Sequence, residues 1–100
     1  MTNTGLSSQD TKLIKQVFKK HPKIKKVVLF GSRAMGNFKA GSDVDLALFG
    51  DIDLRTLSRV KSDLEETISV PYFFDVIAYD DTENVALKKH INDFGVVFYP

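Results

Sequence analysis

Apolar residues recur along this chain at two periods, and the changes between them mark its elements. From Ser7 the positions Leu13, Ile14, Val17 and Phe18 make one helical stripe that ends before Pro22. A first strand is predicted over 24–30, where Val27-Val28-Leu29-Phe30 runs straight into Gly31-Ser32. Arg33 to about Gly36 reads as a short helix and Asn37 to Ser42 as a polar loop. A second strand covers 43–49 and is broken by Gly50-Asp51. Asp53 then caps a helix with Leu54, Leu57, Val60, Leu64 and Ile68 inward, and Pro71 precedes a third strand over 72–79. Asp80 or Asp81 is expected to cap the last helix, with Val85 and Ile91 facing the core and Leu87 and Phe94 beside them. Gly95 ends that helix, and Val96 to Tyr99 forms a short final strand. Helices alternating with strands predict a two-layer α/β sandwich around a twisted sheet.

One hundred residues predict one domain, 1–100, with a single core and no separate substrate-binding domain. With 43% hydrophobic and 27% charged residues and a net charge of +1, neither strong nucleic-acid nor strong membrane attraction is expected. The chain has no cysteine, which excludes disulfides and thiolate metal sites. The first twelve residues are polar and no apolar run approaches the roughly 20 residues of a membrane span, so a cytoplasmic protein is expected. Six lysines between Lys15 and Lys26 crowd the end of the first helix, which suits a solvated face helped by the helix dipole. His21 and His90 read the same way, and Phe38, Tyr72 and Tyr79 read as core or cross-strand aromatics.

Chemistry concentrates on two segments. A helix start after a Gly-Ser turn offers unpaired backbone N–H groups, close approach at Gly31 and a hydroxyl at Ser32, a combination suited to phosphate. Asp43 and Asp45, two apart on a strand, point to one face while Val44 and Leu46 point to the other. Two like charges so placed repel unless a cation lies between them, and hard oxygen ligands suit Mg²⁺. Asp75 interrupts the apolar Phe73-Phe74-Asp75-Val76-Ile77 strand, where a charge is costly unless paired or metal-bound. Taken singly, each segment has an ordinary reading: a turn, a polar strand rim, a satisfied carboxylate.

Taken together, Gly31-Ser32, ten intervening residues, Asp43-Val44-Asp45 and a later strand aspartate, Asp75, resemble the signature of the polymerase-beta-type nucleotidyltransferase superfamily. The surrounding Leu-Phe-Gly-Ser-Arg-Ala and Gly-Ser-Asp-Val-Asp-Leu-Ala are similar to the minimal nucleotidyltransferase group, small prokaryotic proteins encoded beside a helical HEPN-type partner, as is the ending from His90 to Tyr99. The resemblance implies a mixed sheet with helices packed on one side and a nucleotidyltransferase core over about 24–79. It further implies transfer of a nucleoside monophosphate, AMP from ATP, to a hydroxyl with pyrophosphate leaving. On that reading Asp43, Asp45 and Asp75 are the catalytic carboxylates and hold two Mg²⁺ ions, and Gly31, Ser32, Arg33 and Ser42 contact the nucleotide. The acceptor would be on, or presented by, the HEPN-type partner, making this chain antitoxin-like and any nucleic-acid contact indirect. Members commonly carry a second arginine where this chain has Met35. That departure supports a competing reading, a nucleotide-binding module that neutralises its partner by contact.

Overall fold

The computed structural model describes residues 4–100. In chain order the elements are α1 (Ser8–Lys19), β1 (Ile24–Phe30), α2 (Gly31–Met35), β2 (Val44–Gly50), α3 (Leu54–Ser62), β3 (Phe74–Ala78), α4 (Val85–Phe94) and β4 (Val96–Tyr99). A π turn over Asp63–Thr67 extends α3, and a 3-10 turn over Tyr79–Asp81 follows β3. Side-chain caps fix the helix starts: Ser7 Oγ accepts from the Asp10 N–H at 3.0 Å and Asp53 Oδ1 from the Thr56 N–H at 2.8 Å. The expected cap of α4 by Asp80 or Asp81 does not form. Both aspartates belong to the 3-10 turn, and Asn84 caps α4 instead, accepting from the Leu87 N–H at 3.1 Å. Val85 and Leu54, expected inward, stand at the first position of their helices and are exposed, as is much of Phe94.

The four strands lie in the order β3-β2-β1-β4. β1 runs antiparallel to both β2 and β4, and β2 runs parallel to β3, so the sheet is mixed. Alternation along β1 divides the core between the two faces. Val27 and Leu29 join Leu46, Leu48 and Val76 under Ile14, Val17 and Phe18 of α1 and Val60 and Leu64 of the α3 segment. Val28 and Phe30 join Ala47 on the opposite face, under Ile91 of α4. The helices therefore do not all pack on one side. The inward stripe of α4 includes only Ile91 as a fully buried residue, so this second layer is thin and covers part of its face. No helix among the described residues is long and apolar enough to cross a membrane.

Candidate active site

Strand register brings the predicted carboxylates to one place. Phe30, the last residue of β1, pairs with Asp45 of β2, and Asp45 pairs in turn with Asp75 of β3. Parallel pairing in register puts both carboxylates on the same face. That face is the one shared by Ala47 and Ile77, which α4 covers farther along the strands. Asp43 stands just before β2, held there by the Val44 N–H donating to Phe73 O at 2.9 Å. Asp75 and Asp43 are exposed and Asp45 is half-buried. The burial cost expected at Asp75 is therefore absent: β3 is an edge strand and its charge faces water.

Asp45 carries the electrostatic load of the group. Burial first, then repulsion from Asp75 and Asp43, pushes its carboxyl up to about 6, against weaker pulls downward from His90, when its ring is protonated, and from Arg33. No side-chain hydrogen bond to Asp45 forms among the described residues, so its charge is uncompensated by donors. A hard divalent cation would supply what this donor set lacks, since three carboxylates are oxygen ligands of the kind Mg²⁺ takes. Among the described residues, no three acidic or imidazole side chains are gathered tightly enough to form a metal centre as they stand.

The Gly-Ser turn abuts the carboxylates directly. Gly31 has φ +75°, and a Cβ built on it would run into the Asp45 carboxylate, so both conformation and space require glycine. Gly36, also left-handed, ends α2 by returning its N–H to Ser32 O. The Gly31 N–H donates to His90 Nε2 at 3.1 Å, which brings α4 onto the turn. His90 is half-buried, edge-on to Phe30 at 6.2 Å and tilted against Phe94 at 5.5 Å. It sits in mid-helix on an inward face and complements no helix end. A signal existed in the sequence: Leu87, His90, Ile91 and Phe94 share the spacing of one helical stripe.

Arg33 and Ser42 are engaged with other groups of the protein. Arg33 is 2% exposed, and its guanidinium donates through Nε at 3.2 Å and Nη2 at 2.9 Å to Ser42 O and through Nη1 at 2.8 Å to Thr4 O. Its plane lies near the rings of Phe38 and Tyr72, at 5.2 and 5.0 Å. Ser42 Oγ accepts from the Lys39 N–H at 2.8 Å and closes the loop before β2. Arg33 thus ties the N-terminal segment and this loop together, and Ser42 shapes the approach to Asp43. Tyr72 has its hydroxyl on Asp10 at 2.9 Å, Tyr79 stacks on Phe49, and His21 pairs with Asp63 at 3.0 Å. Met35, at the end of α2, is 49% exposed.

A model of the polymerase beta nucleotidyltransferase family matches residues 12–100. A 31-residue stretch is 48% identical to a Methanocaldococcus jannaschii protein whose name proposes protein adenylyltransferase activity; the match spans 31% of this chain and 31% of that relative, about a third of its length. Among solved structures, a toxin-antitoxin with AMP-PNP superposes with a TM-score of 0.73 at 18% identity, over 89% of this chain and 72% of that one. A tri-AMPylated Shewanella oneidensis HEPN toxin in complex with MNT antitoxin gives a TM-score of 0.60 at 17% identity, over 88% and 71% of the two chains. Identities this low establish a common fold.

Proposed function

The chain belongs to the polymerase beta nucleotidyltransferase family, and from that premise we propose that it moves a nucleoside monophosphate, AMP from ATP, to a hydroxyl on a helical HEPN-type partner. The observation that carries the reading is the register Phe30–Asp45–Asp75, which sets the Gly31 turn against the carboxylates. The adenylyltransferase name of the short-stretch relative and the AMPylated toxin in one structural neighbour support AMP and a protein acceptor.

Gly31 and Ser32 would hold the terminal phosphates, leaving the α-phosphorus over Asp43, Asp45 and Asp75. Those three would hold Mg²⁺, which when bound supplies charge neutralisation for the triphosphate and the departing pyrophosphate. The acceptor oxygen forms a bond to the α-phosphorus as the bond to the bridging oxygen of pyrophosphate breaks. Asp75, exposed at the sheet edge, takes the hydroxyl proton. An open edge beside Asp75 also leaves room for an acceptor chain to approach.

The second reading, partner neutralisation by contact, is favoured by one observation. Arg33 is engaged inward and Met35 stands where a second cation is common, so α2 places no guanidinium toward the turn. The two separate in one experiment: the chain and its co-encoded helical neighbour are incubated with Mg²⁺ and ATP labelled on the α-phosphate. Label on the neighbour that disappears in Asp43→Asn and Asp45→Asn is the expected result. A stable complex that acquires no label under any Mg²⁺ concentration defeats the enzymatic reading.

A further inference from the structure

The Gly31 N–H has one hydrogen, and His90 Nε2 holds it at 3.1 Å. Under the proposed function that same amide opens the turn that receives the terminal phosphates, so this inference rests on that reading. We infer that His90 is a built-in competitor for the phosphate-binding amide: its imidazole occupies the Gly31 N–H in the free protein and gives it up when a triphosphate docks. Three features support it. An Nε2 that accepts a hydrogen bond carries no proton, so the ring is the Nδ1–H tautomer and presents a lone pair where a phosphate oxygen would present its own. The ring is held in that pose by two aromatic neighbours, Phe30 edge-on and Phe94 tilted against it, and α4 carries it in mid-helix, half-buried. Phe94 is half-exposed, so one of the two groups that hold the ring borders solvent and is not locked in the core.

The cost of competition is the neutral hydrogen bond given up to imidazole, which lowers affinity modestly, by roughly two- to tenfold. Removing the competitor should therefore tighten nucleotide binding by that factor. His90→Phe keeps ring volume and the aromatic contacts but removes the acceptor, His90→Ala removes both, and His90→Gln keeps an acceptor on a flexible arm. Calorimetry with Mg-ATP and the full chain reads the effect, which should also appear in KM for ATP more than in kcat. The expected result is tighter binding in His90→Phe and His90→Ala and near-unchanged binding in His90→Gln. A second measurement needs no variant: the ¹⁵N resonance of His90 Nε2 in the wild-type chain should lose its hydrogen-bonded shift as Mg-ATP saturates. Weaker binding in both His90→Phe and His90→Ala overturns the inference, because the ring is then a phosphate ligand. An Nε2 resonance unmoved at saturating ATP overturns it as well. A wild-type chain that shows the Gly31–His90 bond yet binds no ATP at all defeats the nucleotide reading itself, and this inference with it.

Discussion

Replacing Asp45 with asparagine should abolish transfer and at the same time stabilise the metal-free protein. Asp45 ionises only at about 6 in the folded chain against 3.8 for the free side chain. A raised acid pKa means that the native state holds its proton more tightly, so between about 3.8 and about 6 it binds more protons than the unfolded chain. Stability contributed by that proton is fully present below 3.8 and is lost as pH climbs to about 6; above that the ionised carboxylate carries the whole penalty. For a fully buried group the shift would correspond to about 3 kcal/mol; Asp45 is half-buried, and water screens part of that. About 1 to 2 kcal/mol is the reasonable size, or roughly 5 to 10 °C in Tm for a domain of this length. Asparagine keeps the shape, removes the charge and forfeits no hydrogen bond.

Paired urea or thermal unfolding of wild type and Asp45→Asn across pH 4 to 8, without divalent cations, measures this. The variant's advantage should be small at pH 4, grow through the window and level off by about pH 7. Added Mg²⁺ should raise the wild-type Tm at pH 7.5 and narrow the gap, since the ion binds the ionised native form. A gap that is constant with pH, or a variant less stable than wild type at pH 7.5, would refute the account of Asp45 as a frustrated charge.

Asp75→Asn should lower the Asp45 titration midpoint only in part, because burial outranks repulsion among its causes; an NMR titration that returns Asp45 fully to the ordinary range contradicts that ranking. Arg33→Lys should cost about 2 to 4 kcal/mol in urea unfolding, since a single ammonium cannot span Ser42 O and Thr4 O as the fork does. Unchanged stability with a raised KM for ATP would instead place Arg33 on the nucleotide. Gly31→Ala should lose about 1 to 3 kcal/mol and most nucleotide binding, because the added methyl meets Asp45 from a left-handed backbone; wild-type calorimetry in this variant would show the turn is not the phosphate site.

What could be read from the sequence was local. The run into Gly31 marked β1 to its last residue, Ser7 and Asp53 declared their caps three residues ahead, and the turn at Gly31-Ser32 and the strand carrying Asp45 fell where the pattern put them. Each of these depends on neighbours within a turn or a strand. Arg33 depends on a carbonyl 29 positions earlier and His90 on an amide 59 positions away, contacts that no periodicity encodes. An arginine beside a phosphate turn has the same sequence signature whether it faces the ligand or the core. The position of α4 was hidden for a related reason: its stripe is apolar enough to predict a buried face but says nothing of which side of the sheet that face meets. The cost attributed to Asp75 failed on topology, since an apolar strand reads alike at the centre of a sheet and at its edge.

The contact between Gly31 and Asp45 makes one device of what the sequence shows as two motifs. A turn free to move relative to the carboxylates would let a triphosphate bind without fixing where its α-phosphorus falls. Here Phe30 lies opposite Asp45 in the antiparallel ladder, and Gly31 follows with its α-carbon against the carboxylate, so a shift of one presses on the other. Rigid spacing of this kind is what an in-line displacement requires, because misplacement by about 1 Å is enough to cost a hundredfold in rate. The same closeness explains the raised pKa of Asp45: the backbone that positions it also strips away its water. Frustration at Asp45 is thus a direct consequence of the geometry that couples the Gly31 turn to the carboxylate, and a variant that relieves it must loosen the charge, the coupling or both.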